Sequence, residues 1–283
     1  MQLDLIQNEF VLKFESWLKE YLDYSKKNKN YADILLKSQE YSLLSGGKRF
    51  RPFLAYLVFD LFSKDYSKIK NLCLSLEMIH TYSLIHDDLP CMDNDDYRRG
   101  KPTNHKVFSE DIALLAGDGL LSDVFYLLAT DSALNAEVKT KLVALVSEKI
   151  GSTGMVSGQV FDMQANSQIS LDQLKQIHTL KTAHLIQASA LGAALAAQVN
   201  SIELHNISEF SLNLGMAFQI KDDLLDYNDN EQDFKSYLSI LGHEKTQQEL
   251  VKHSNEALSN LKKLAKASEA LEKLIEYNLK RNS

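Results

Sequence analysis

Six aspartates fall into two short clusters whose chemistry suits hard cations. Asp87, Asp88 and Asp93 lie within Asp-Asp-Leu-Pro-Cys-Met-Asp, and Asp222, Asp223 and Asp226 within Asp-Asp-Leu-Leu-Asp. Each cluster ends an apolar, helix-patterned segment, the first running from Leu72 to Ile85 and the second from Leu212 to Ile220. A helix C-terminus carries partial negative charge, so adjacent acids there are destabilised by the dipole and by one another. A bound divalent cation would relieve both. Asp222 and Asp226 are four apart and share a helix face; Asp87 and Asp93 diverge on an ideal helix, but Pro90 must end or distort it and can bring Asp93 back. All candidate ligands are oxygens and no Cys/His set has ligand spacing, so the pattern suits magnesium rather than zinc. A single such cluster is ordinarily a solvated surface feature. Two clusters, each accompanied by basic motifs, argue for a site.

The cations suit an anionic ligand. Gly46-Gly47-Lys48-Arg49-Phe50-Arg51-Pro52 places three of them beside a flexible turn at a helix start, where backbone N–H groups and the dipole already favour an anion. Arg98-Arg99-Gly100-Lys101 follows the first acid cluster, and arginine forks grip phosphate in a bidentate way that lysine cannot reproduce. His80 is seven residues before Asp87 and roughly on its face, where a satisfied core histidine is the competing reading. Lys181-Thr182 and Gln219 bring polar groups into otherwise apolar helices, as expected of a cleft with a polar mouth and an apolar interior.

These residues resemble the trans-prenyltransferases, and most closely the bacterial farnesyl diphosphate synthases. The likeness runs in order through Gly46-Gly47-Lys48-Arg49-x-Arg51-Pro52, His80 to Asp93, Arg98 to His105, Gly117-Asp118, Gly158-Gln159 with Asp162, Lys181-Thr182, and Phe218-Gln219-x-x-Asp222-Asp223-x-x-Asp226. It implies an all-α fold: a single large antiparallel helical bundle of the isoprenoid synthase type over residues 1–283, with a deep central cleft, in a homodimer. It further implies three Mg2+ ions held by Asp87, Asp88, Asp93, Asp222, Asp223 and Asp226. Arg98, Lys181 and Lys235 would face the allylic diphosphate, while Lys48, Arg51, His80 and Arg99 would bind isopentenyl diphosphate. Thr182 and Gln219, with Lys181, would line the reacting centre. Cationic groups and metal would stabilise the departing diphosphate, the isopentenyl double bond would attack the allylic cation, and the diphosphate would take the proton, so no Ser/His or His/Asp pair is required.

Product length has a physical ruler. Ser83 is four residues before Asp87 and shares its face, so a chain descending the helix meets it. Tyr82 is five before, about 7.5 Å down at the helical rise. Spacing alone does not choose it; the resemblance does, because an aromatic there, with two extra residues around Pro90-Cys91, forms the pocket floor in bacterial farnesyl synthases. The expectation is a C15 product, with the C20 geranylgeranyl product as the alternative and a non-catalytic partner subunit as the other reading. After Asp226 the chain departs from the family: the segment from Tyr227 to Tyr237 is short and only Lys235-Ser236 can be matched, so one phosphate-facing lysine is missing.

The elements that must position these groups read as helices throughout. Apolar residues recur at three- and four-residue spacing, as in Leu3, Ile6 and Phe10, then Phe14, Trp17, Leu18 and Leu22. Further helices are predicted over about 31–44, 50–63, 67–87, 110–130, 134–150, 171–198, 205–227, 236–258 and 258–280, with 93–104 a loop and the Ala-rich stretch from Thr182 to Val199 a central helix. No proline follows Pro102. A net charge of −7 argues against a nucleic-acid partner. Two cysteines are too few for a disulfide framework, and the N-terminal residues lack the pattern of a secretion signal. No uninterrupted apolar stretch is long enough to cross a bilayer, so the expectation is a cytoplasmic protein.

Overall fold

The computed structural model describes residues 3–28, 30–226, 234–266 and 268–281. Among them are fourteen α-helices: α1 (Leu3–Asn28), α2 (Asp33–Leu43), α3 (Phe50–Phe62), α4 (Ser67–Asp87), α5 (Asn104–Val107), α6 (Glu110–Ala129), α7 (Ala136–Ile150), α8 (Met155–Gln164), α9 (Leu171–His178), α10 (His184–Ala196), α11 (Ser201–Leu225), α12 (Tyr237–Leu241), α13 (His243–Leu261) and α14 (Glu269–Lys280). Helices apolar on all sides need neighbours on all sides. Thus α3 and α4, which bury Phe53, Leu54 and Phe59 and Leu72, Leu76 and Ile79, pack on each other and on α10. The small residues of α10 make that possible: Ala188, Ala190, Ala193 and Ala194 are fully buried. A Cβ on Gly192 would stand 3.0 Å from a Leu72 methyl. This is the central helix, in contact with α3, α4, α7 and α11. The main core runs from Leu3 to Ile275, and a second, smaller one gathers Leu174, Ala183, Met216, Ile220, Tyr237 and Leu250.

Caps fix several starts. Asn135 Oδ1 accepts from Val138 N, Asn200 Oδ1 from Glu203 N, and Ser170 forms a capping box with Gln173. The all-α class read from the pattern is what the chain adopts. Four details differ. The predicted helix over 171–198 is interrupted by a π turn, Thr179–Ala183. The predicted boundary at 258 falls inside α13, and α12 is split from it by Gly242, whose φ of 75° no regular helix tolerates. α8 fills part of the stretch between 150 and 171 over which no helix is predicted. The predicted loop 93–104 contains a hairpin, β1 (Tyr97–Arg98) against β2 (Lys101–Pro102), closed by Arg99 and Gly100 at φ 53° and 75°, the two positive values a tight primed turn requires. One described helix, α6, is long and apolar enough to cross a membrane, although acids interrupt it and one side packs on α4. The short segment from Tyr227 to Asp233 lies outside the described residues.

Candidate active site

At the end of α4, Pro90 breaks the helix and the chain folds back, so that Asp93 N donates to Asp87 O at 2.8 Å. Asp87 and Asp93 are thereby brought to one place. Burial raises the Asp87 carboxyl to about 6; Lys181 opposes that shift and Asp93 adds to it. Asp88 turns the other way. It is 4% exposed and accepts from Arg98 Nε, while Arg98 Nη2 donates to Asp95 at 2.9 Å. The hairpin separates the paired arginines: Arg98 faces Asp88, whereas Arg99, in the left-handed turn, donates to Gly46 O and lies 3.4 Å from His80 Nε2.

That contact completes a cationic pocket. Gly47 has φ 126° and a Cβ there would sit 2.8 Å from the Arg99 guanidinium, so only glycine lets loop and arginine meet. Arg51 reaches the same place, and its Nε is buried without a protein partner. Burial pushes the Arg51 guanidinium down to about 10, Glu77 and Asp222 opposing, so it stays charged. Burial and the nearby arginines hold the His80 imidazole well below its usual range; it is neutral and able to accept at Nε2. The middle cation of the run, Arg49, does something different. It is 3% exposed, left-handed at φ 48°, and donates to Glu15 at 2.9 Å, Glu77 at 2.6 Å and Leu43 O at 2.8 Å. Arg49 therefore ties α1, α2 and α4 to the turn that carries Lys48 and Arg51, a role the sequence reading did not assign. Lys48 is exposed at the rim.

The second cluster meets the π turn. Lys181 Nζ donates to Asp162 at 2.6 Å, and Lys235 Nζ lies 3.1 Å from the other Asp162 oxygen, so one carboxylate on α8 gathers both lysines. Thr182 Oγ1 donates to Gln219 Oε1 at 2.9 Å, and Gln219 Nε2 to Asp223 at 3.3 Å. Asp223 also accepts from Tyr237 N at 2.7 Å, which ties the start of α12 to the acid cluster. Asp222 is paired with Arg281, which stacks on Phe218 and donates to Phe218 O at 3.1 Å. Asp226 is exposed at the end of α11.

A cavity of about 430 Å³ joins five of these groups, while Asp88, Asp93, Arg98, Arg99, Lys48, Lys235, Gln219 and the second acid cluster lie outside its lining. Arg51, His80, Asp87, Lys181 and Thr182 line its polar part, and Tyr82, Ser83, Met92, Met155 and Val160 its apolar part. Among the described residues no three acids, histidines or cysteines converge on one point. The donors still fit a hard cation shared with a ligand: they are all oxygens, and Asp87 is a half-buried carboxyl whose charge burial and Asp93 disfavour.

The polyprenyl synthetase family model matches residues 32–276. The farnesyl diphosphate synthase of Micrococcus luteus is 43% identical over 255 residues, covering 86% of this chain and 87% of its own. A geranyltransferase from Legionella pneumophila superposes with a TM-score of 0.90 at 32% identity, over 98% of this chain and 96% of that one. A geranyltransferase from Helicobacter pylori, solved in complex with magnesium and isoprenyl diphosphate, gives 0.78 at 31% identity over 94% and 95%. A match across nearly the whole chain, through the residues that build the cavity, makes this chain a member of the polyprenyl synthetase family.

Proposed function

We propose that this chain is a trans-prenyltransferase, folded as one domain, that condenses isopentenyl diphosphate with dimethylallyl and then geranyl diphosphate to give farnesyl diphosphate. The observation that carries the reading is one cavity in which the cations Arg51 and Lys181, the half-buried Asp87 and an apolar wall meet. Lys48, Arg51 and Arg99 would bind the isopentenyl diphosphate, with neutral His80 adding a hydrogen bond rather than a charge. Lys181, Lys235 and Arg98 would face the allylic diphosphate; Asp162 keeps the two lysines together until substrate arrives. Three Mg2+ ions, held through Asp87, Asp88, Asp93, Asp222, Asp223 and Asp226, would neutralise charge on the leaving diphosphate. Asp223, already bonded to Tyr237 N, and Asp88, bonded to Arg98, have less freedom for that role than Asp87 and Asp93.

As the allylic C–O bond breaks, the Thr182 hydroxyl and the Gln219 amide oxygen place partial negative charge by the nascent cation. Met155, Val156, Val160 and Met163 of α8 give the cavity an apolar wall beside the reacting chain. The isopentenyl double bond forms the new C–C bond and the released diphosphate accepts the proton lost. Tyr82, 6% exposed on the wall of the cavity, limits the chain to C15. The free thiols of Cys73 and Cys91 suit a cytoplasmic location. Incubation with labelled isopentenyl diphosphate, dimethylallyl diphosphate and Mg2+, followed by chain-length analysis, tests the proposal. C15 as main product is expected. C20 would reassign the floor, and no elongation would leave a non-catalytic subunit.

A further inference from the structure

Gly117-Asp118 belongs to no step derived above, yet it sits against the cavity wall. His86, one residue before Asp87, lines the cavity with Tyr82 and Ser83. Its ring stands edge-on to Tyr82 at 5.8 Å and 73°. The ring leans onto α6, where Nε2 donates to Leu114 O at 3.0 Å and lies 3.9 Å from Asp118 Oδ1. Only a missing side chain lets it do so: a Cβ on Gly117 would fall 2.1 Å from His86 Nε2. The seat of this imidazole is thus built from a glycine, a carbonyl and a carboxylate on a neighbouring helix.

We infer that His86, positioned by Gly117, is a second determinant of product length beside Tyr82. The inference rests on the prenyl-elongation reading of the site. The imidazole closes the α4–α6 side of the cavity, and it has five ring atoms, as many heavy atoms as one isoprene unit has carbons. Removing the ring opens room for one further unit. Filling Gly117 evicts the ring from α6 into the space it already lines, which shortens the pocket.

The test is the product distribution, with isopentenyl and dimethylallyl diphosphates and Mg2+, of the wild type, His86→Ala, Gly117→Ala and the double variant. His86→Ala is expected to raise the C20 to C15 ratio about ten-fold, and Gly117→Ala to raise C10 relative to C15. The double variant should match His86→Ala, because Gly117 acts only through the ring. An unchanged ratio in an elongating His86→Ala enzyme, or a C10 shift from Gly117→Ala that persists without the ring, overturns the inference. Should His86→Ala fail to fold, His86→Asn keeps a polar side chain without the ring and is held to the same expectation. A wild type that makes no elongated product defeats the underlying reading first, and is recognised before any variant is made.

Discussion

Burial raises the Asp87 carboxyl to about 6, and Asp93 adds to the shift, so at neutral pH the free protein carries a charge that destabilises it. The folded pKa lies above the ordinary value of 3.8, so the penalty is full above pH 6, shrinks as pH falls through 6, and vanishes below about 4. Asp87→Asn should therefore raise the melting temperature of the substrate-free protein at pH 7.5 and leave it unchanged near pH 4. Turnover should fall about 10²-fold or more. Melting curves at the two pH values with a turnover assay check both halves; near-normal turnover would remove Asp87 from the site. Arg49 poses the opposite case, a buried cation whose removal strands Glu77. Arg49→Met should cost about 3–5 kcal/mol by denaturant unfolding. Adding Glu77→Gln should recover much of that stability while the KM for isopentenyl diphosphate stays raised, because the turn carrying Lys48 and Arg51 is no longer tied to α1 and α4. Full recovery of KM in the double variant would make the tie dispensable.

The π turn is the element on which the reacting centre depends, and it is braced from α8. A Cβ on Gly158 would lie 2.4 Å from Lys181 N, a clash with backbone that no side-chain motion relieves. Gly158→Ala should destabilise by about 1–3 kcal/mol. It should also lower kcat about 10²-fold by moving Lys181 and Thr182, while KM for isopentenyl diphosphate changes little. Steady-state kinetics with each substrate varied would separate these effects, and an unchanged kcat would show that the turn adapts. This region also marks the limit of what the sequence reveals. The amphipathic and all-apolar helices were legible because 3.6-residue periodicity records burial, and the acid and basic motifs because their residue types record chemistry. The π turn was not, since nothing in its own five residues marks it and the backbone it packs against, at Gly158, is on another helix more than twenty residues away. No helix is predicted at α8, whose Gly158 packs against the π turn. Within Lys48-Arg49-x-Arg51, spacing could not tell which cation faces inward; the left-handed backbone at Arg49 decides it.

At the scale of the whole molecule, α6 is the unfinished surface. It is apolar along most of its length, but only about a third of it is buried, and Leu114 and Leu115 are 46% and 53% exposed. A bilayer is a poor match. Asp118 and Asp123 lie within the helix, the latter accepting from Tyr21 at 2.9 Å and Tyr31 at 2.6 Å, and the opposite side is packed on α4. We propose a second copy of the chain there, since a homodimer, the assembly the family resemblance implies, needs an apolar patch that meets itself across a two-fold axis. Leu115→Glu places a charge in the middle of such a patch; sedimentation equilibrium is expected to find the wild type dimeric and the variant monomeric. The consequence reaches the cavity, because Leu114 O, the adjacent carbonyl, is what His86 Nε2 donates to. A monomeric Leu115→Glu protein is therefore expected to lose about ten-fold in turnover and to spread its products around C15, as the His86 seat loosens. If the variant stays dimeric, the interface lies on another face; if it is monomeric with unaltered rate and product, assembly and pocket are independent.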